Sequence, residues 1–243
     1  MTSALSAASS RAASGRNRIT SRGSASPRST GYRERRREPA APDAGSRLRR
    51  RPRCREAVRG EGQAVPILVR RIAATRKLPC TILPPIRQPR TTTIKPGELE
   101  RAVTLLGNKV GDDGAILVLL DADDDLACAL APALLTRARA ARPDRRICVV
   151  LAVREYEAWF VASATSLRGR PGLPDSLAPP PDAEAICDAK GWLGARMRSG
   201  YSPTIDQPAL SSLFDLQLAR VTTSFDKLVR DLTWLLTPTV SQV

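Results

Sequence analysis

Four aspartates stand within five positions, Asp121, Asp123, Asp124 and Asp125, directly after the apolar run of residues 116–120. In an extended chain, residues two apart point to the same side. Asp121, Asp123 and Asp125 are therefore expected on one side and Asp124 on the other. Unit like charges about 4 Å apart repel by ~1 kcal/mol in water and ~4 kcal/mol at an effective dielectric near 20. Such a cluster calls for a cation, or for one member to stay protonated. A hard divalent ion with oxygen ligands, Mg²⁺ or Mn²⁺, is the natural counter-charge. The plain alternative is a solvated acidic loop that caps the next helix from Asp124 or Asp125. The place of the acids, after a strand with the look of one buried on both faces, favours the metal site.

Other residues can join this chemistry. Glu155 and Glu157 follow a second apolar run, residues 147–153. Glu56 or Glu61 could serve as general base. Lys190 or Arg154 could offset negative charge that develops in a reaction. Each has a structural alternative. Glu155 and Glu157 suit the start of any helix, where the dipole favours acids. Lys190 suits a solvated helix face. Trp159, Trp192 and Trp234 sit among apolar neighbours and are read as core. Ser224 is read as an N-cap rather than a nucleophile.

The chain has 243 residues and no histidine. That excludes Ser-His and Cys-His nucleophile pairs, His-ligated zinc and a histidine base. The five cysteines, Cys54, Cys80, Cys128, Cys148 and Cys187, form no C-x-x-C pair, so neither a zinc ribbon nor a disulfide framework is indicated. They are read as buried cytosolic thiols. No apolar run reaches the ~18 residues that span a bilayer. The net charge of +15 is uneven, because residues 1–60 hold 16 Arg against four acids. The rest is nearly balanced, so the high isoelectric point is weak evidence about the folded part.

Residues 1–57 are rich in Arg, Ser, Ala, Gly and Pro, and cannot bury enough apolar surface to offset ordering entropy. They are expected to be disordered. Three other readings stay open: an organelle transit peptide, text that is not authentic coding sequence, and a basic arm for nucleic acid. From residue 58 helical and strand patterns alternate. Helices are predicted near residues 65–72, 97–109, 126–142 and 154–164, and strands at 81–83, 116–120 and 147–153. Residues 84–89 and 169–183 read as Pro-rich loops. A helix around 186–193, a turn and then a helix within 200–221, and a final helix from Ser224 to Leu236 complete the pattern. The expected fold class is α/β, a three-layer core at 58–168 with a mostly parallel sheet of three to four strands. A helical C-terminal section, 169–243, packs on it.

Four stretches carry a resemblance: "QAVPILVRRI", "ILVLLDADDD", "REYEAWFVASATSLRG" and "DAKGWL…YSPTIDQPALSSLFDLQLAR…SFDKLVRDL". In this order they resemble an uncharacterised bacterial Toprim-like family, related to RloB-type and overcoming-lysogenization-defect nucleases. The resemblance covers residues 58–236. It implies Mg²⁺- or Mn²⁺-dependent cleavage of phosphodiesters, in bacterial defence or repair. Its implied partners are DNA or RNA and an ATPase subunit. Asp121 and Asp123 match the D-x-D metal ligands, with Asp125 and Glu157 as further ligands. Glu61, Glu155 and Lys190 are the implied catalytic groups. The chain departs from the pattern at its first acid, where Arg59 replaces the expected Glu. A degenerate, inactive member is therefore an open reading. So are a non-enzymatic nucleic-acid-binding or accessory subunit and a D-x-D nucleotide-sugar transferase. An EF-hand is excluded because Leu126 stands where Gly is required, and no P-loop motif is present.

Overall fold

The computed structural model describes residues 2–6, 54–56, 62–170 and 172–238. In chain order the elements are β1 (Thr2–Ser6), β2 (Cys54–Glu56), α1 (Ala64–Thr75), β3 (Cys80–Ile82), β4 (Pro85–Pro89), α2 (Arg90–Thr93) and α3 (Glu98–Lys109). There follow β5 (Ala115–Asp121), α4 (Ala127–Ala141), β6 (Arg146–Ala152), α5 (Ala158–Ala162) and a 3₁₀ turn at Ala164–Leu167. The last helices are α6 (Ala189–Gly194), α7 (Asp206–Leu213), α8 (Leu216–Ala219) and α9 (Thr223–Leu236).

The two unbroken apolar runs are β5 and β6, and they pair in parallel from Ala115↔Arg146 to Asp121↔Ala152. Alternate residues point to opposite faces, and both faces are covered. Leu117, Leu119 and Val150 join a core with Leu68 and Ile72 of α1 and Leu228 and Leu232 of α9. Ile116, Val118, Leu120, Val149 and Leu151 join a second core with Leu99, Val103 and Leu106 of α3 and Leu134 of α4. Helices on both faces explain why these strands carry no polar alternation. The pair ends together, at Asp121 and Ala152, so the segments that leave the two strands meet at one edge.

Elsewhere the sheet departs from the expected mostly parallel arrangement. Its order is β4-β1-β5-β6, with β1 antiparallel to both neighbours, while β2 and β3 form a separate parallel pair. The described residues thus have a mixed helix-and-strand fold. An edge of unpaired N–H and C=O groups accepts an extended segment of either direction, and a five-residue strand without large alternating side chains gives no sequence signal. β1 and β2 fall inside the front segment read as disordered, and so depart from that reading. The remainder of that segment lies outside the described residues. The Pro-rich stretch read as a loop is the strand β4. Proline is tolerated there because β4 is an edge strand, with Pro85 and Pro89 at its ends.

Two smaller corrections concern α9. Its N-cap is Thr222, not Ser224. The helix start is satisfied instead by the carboxylate of Glu184, which accepts from the backbone N–H groups of Thr223 (3.1 Å) and Ser224 (3.0 Å). Ser224 Oγ donates to Glu184 Oε1 and accepts from Trp159 Nε1 at 2.8 Å. Trp234 is 49% exposed and not core. It lies about 200° around the helix from Leu232, off the stripe formed by Phe225, Leu228, Val229, Leu232 and Leu236.

No helix among the described residues is long and apolar enough to cross a membrane.

Candidate active site at the end of the parallel pair

Asp121 closes β5, and its Oδ1 accepts a 2.8 Å hydrogen bond from the backbone N–H of Tyr156. Beyond it the chain leaves the extended conformation. Asp123 lies at φ +50° and Arg154, facing it, at φ +60°. The two are joined as an isolated bridge in which Asp123 N donates to Arg154 O at 3.0 Å. Left-handed backbone is tolerated by Asp and disfavoured for Arg. Paired left-handed residues turn both chains sharply at the point where α5 must begin.

This turn overturns the expectation that Asp121, Asp123 and Asp125 share a side. Two-residue alternation holds only while the chain stays extended, and it ends at Asp123. Asp123 and Asp125 instead meet Arg90, a side chain 11% exposed. Its Nε lies 3.6 Å from Asp123 Oδ2, and its Nη2 contacts Asp125 Oδ2. Nε also donates to the carbonyl of Asp121 (2.9 Å), and Nη2 to that of Ala122 (3.1 Å). Arg90 therefore offsets the charge of Asp123 and Asp125 and ties down the backbone of Asp121 and Ala122. Arg154 pairs with Asp124, on the outside, rather than facing Asp121.

Asp121 finds other company. Glu155 and Glu157, just after β6, are 5% and 0% exposed. Lys190, in the first turn of α6, places Nζ 3.0 Å from Glu155 Oε1 and 3.0 Å from Glu157 Oε2. Its backbone N–H donates to Glu155 Oε2 at 3.1 Å. Glu157 Oε1 accepts from the Tyr201 hydroxyl (2.8 Å) and from Gln207 Nε2 (3.0 Å). The short segment carrying both glutamates is anchored by packed rings. Tyr156 lies 4.7 Å from Trp159 between centroids, Trp159 5.2 Å from Phe225, and Phe160 5.3 Å from Phe214. The last two pairs are edge-to-face, and such contacts add about 0.5–1.5 kcal/mol each beyond burial.

Three acids thus share one lysine. Burial pushes the Asp121 carboxyl up to about 8, and the charge of Glu157 adds to the rise while Lys190 opposes it. Burial alone would lower Lys190, but Glu157 and Asp121 hold it above the ordinary lysine value. Burial likewise raises the Tyr156 phenol, whose hydroxyl lies 2.8 Å from Ser211 Oγ.

The oxygen-rich lining fits a hard cation. Glu157 Oε2 is buried and held by the Lys190 ion pair, and the buried Gln207 Oε1 accepts no hydrogen bond among the described residues. No group of three acids or cysteines among the described residues converges closely enough to form a ready-made metal cage. Mg²⁺ does not require one, since it is commonly held by one or two carboxylates, with waters and phosphate oxygens completing its shell. Asp121, Glu157 and Gln207 could hold it; Asp123 and Asp125, engaged by Arg90, are not brought to this point.

Of the residues read from the sequence as site candidates, Asp121, Glu155, Glu157 and Lys190 come together, and Glu61 lies outside the described residues. Sequence reasoning missed Arg90, Tyr201 and Gln207. Arg90 follows a Pro-rich stretch and carries no motif. Gln207 has one signal, a polar side chain on the inward face of a helix. Compared with protein-family models, curated proteins and solved structures, the chain matches none.

Proposed function

We propose that this protein is a Toprim-like, Mg²⁺- or Mn²⁺-dependent hydrolase of nucleic-acid phosphodiesters, with its centre at Asp121 and Glu157. The observation that carries this reading is the approach of the half-buried Asp121, at the end of β5, to the buried Glu157, five residues beyond the end of the parallel neighbour β6. Lys190 lies between them, 3.0 Å from Glu157 Oε2. Open α/β sheets place their ligands outside the carboxyl ends of the strands. When bound, a divalent ion supplies Lewis acidity to a phosphoryl oxygen and acidifies a coordinated water. The chain's own residues do the rest. Asp121 and Glu157 bind, Tyr201 and Gln207 fix the orientation of Glu157, and Glu155 holds Lys190 near the reacting phosphate.

A nucleic-acid substrate is supported by an exposed basic surface on the C-terminal section. Arg196 stacks over the Trp192 ring at 3.8 Å from its centroid. Arg198 and Arg170 are exposed, with no ion-pair partner among the described residues. The N–H of Arg198 bonds to Gly172 O at 3.2 Å, which brings the two arginine-bearing segments together. Arginine stacked on an aromatic ring is a platform for bases, and free guanidinium groups suit phosphates.

The test is cleavage of single- and double-stranded DNA and RNA by the purified chain with Mg²⁺ or Mn²⁺. Activity is expected with either ion, and both chelator and Asp121→Asn should abolish it. Cleavage that persists in the Asp121 variant refutes the reading.

A second reading is favoured by one specific observation. Arg90, Arg154 and Lys190 already supply a protein cation to each neighbouring acid. An accessory subunit that binds nucleic acid without cutting it would keep salt-sensitive binding that ignores Mg²⁺.

A further inference from the structure

Two cavities of about 620 and 660 Å³ adjoin beside the first residues of α1. Each is of a size that small ligands fill. Gly62, Gln63 and Arg87 line both. The first cavity continues against Pro203, Thr204, Ile205 and Pro208, the second against Pro66, Ile67, Arg70 and Pro85. Arg87 therefore stands on the wall the two share. Its guanidinium can lie there because Gly62 has no side chain: a Cβ on that residue would stand 2.7 Å from Arg87 Nη2.

Arg87 and Arg70 are exposed and make no ion pair or hydrogen bond among the described residues. By contrast Arg71, Arg90, Arg137 and Arg142 each donate to a carbonyl or carboxylate. No Asp or Glu among the described residues lines either cavity. Two unpaired planar forks without a counter-charge suit an oxyanion that accepts two bonds from each, as phosphate does. The rest of the lining is largely apolar, from four prolines, Ile67 and Ile205, the last 71% exposed. Gln63 and Thr204 add an amide and a hydroxyl that can donate and accept.

These features alternate: a cavity, Arg87, a second cavity, Arg70. A nucleic-acid strand alternates in the same way between base and phosphate. An acidic peptide would satisfy the arginines and leave the apolar walls facing charge, and a free nucleotide would fill one cavity of the two. We infer that this cleft binds a short stretch of single-stranded nucleic acid, with a base in each cavity, one phosphate on Arg87 and the next on Arg70. Apolar contact with base faces and charge along the backbone give binding that tolerates any sequence. The cleft shares a segment with the candidate centre. Tyr201 and Gln207 bond to Glu157, while Pro203, Ile205 and Pro208, from the same stretch, line the cleft. The site extends the nucleic-acid half of the function proposed above and depends on neither metal nor cleavage.

The test is photocrosslinking of the full chain to a short oligothymidylate with a diazirine on one base, the labelled peptides being read by mass spectrometry. Anisotropy titrations at several salt concentrations accompany it. Label is expected on peptides that contain Pro66 and Ile67 or Pro203 to Pro208. Arg87→Gln should remove most of it, weaken binding about threefold or more, and lower the slope of log K against log salt by about 0.7, the value for one single-strand phosphate contact. Ile205→Asp, a change at an exposed position, should weaken binding to a similar degree. Label confined to the peptides around Trp192 and Arg198 overturns the cleft and leaves the nucleic-acid reading standing. Label confined to residues 1–57 overturns both. Displacement by polyglutamate as readily as by unlabelled oligothymidylate overturns the nucleic-acid assignment of the cleft. Label in the cleft of a chain that cuts no substrate supports the cleft and removes only the nuclease.

Discussion

The backbone N–H of Tyr156 donates to Asp121 Oδ1 at 2.8 Å, joining the last residue of β5 to the turn beyond β6. This bond keeps the Asp121 carboxyl inside, beside Glu157, while the next acids turn outward to Arg90. The division of one acidic run between two environments underlies most of what can be measured on this protein.

The first consequence is a pH dependence. Asp121 is held up to about 8 in the folded chain, against about 3.9 when unfolded. A group raised in this way contributes its stability in full below the unfolded value and loses it as pH rises through the folded one. Asp121→Asn, which keeps an acceptor for Tyr156 N–H, should therefore melt close to the wild type at acid pH. Its advantage should grow to a few degrees by pH 8–9. Melting curves across that range without divalent ions are the measurement, and a constant difference would show that Asp121 is not the group that titrates.

Arg90 should matter for folding more than its place outside any motif suggests. Arg90→Ala removes two hydrogen bonds to backbone carbonyls and the counter-charge of Asp123 and Asp125. A loss of about 2–3 kcal/mol is expected in denaturant unfolding. Arg90→Lys should recover only part of it, because a single ammonium cannot reproduce the planar fork. Full recovery with Lys would mean that charge alone was needed.

Glu184 stabilises α9 from 39 residues away in sequence. Glu184→Ala leaves the N–H groups of Thr223 and Ser224 without their acceptor and should cost about 1–2 kcal/mol. Hydrogen exchange at those amides gives a local readout. Unchanged protection there would rule out Glu184 as the cap.

The basic surface predicts a salt-dependent affinity. Arg196→Ala with Arg198→Ala should weaken binding of single-stranded oligonucleotides and lower the slope of log K against log salt by about one to two. The fold should be untouched, since both side chains are exposed. An unaltered slope would place the nucleic-acid contact elsewhere.

The sequence alone determined the elements with long, uninterrupted patterns. Residues 116–120 and 147–153 could only be strands buried on both faces, and the stripes of α1, α3 and α9 came from helical spacing. It also drew attention to Asp121, Glu155 and Glu157, because strand ends collect chemistry, while Lys190 was singled out by the resemblance. It could not foresee β1 and β4, whose place depends on backbone edges rather than side chains. Nor could it divide the aspartates. Alternation assumes an extended chain, and left-handed turns at Asp123 and Arg154 break that assumption within two residues of the strand end. Which acids meet a lysine and which meet an arginine was decided by the packing of α2 and α6. Those helices bring Arg90 and Lys190 across 31 and 69 residues of chain to Asp121. Charge pairing is set by distance in space, and spacing along the chain fixes that distance only inside a single element.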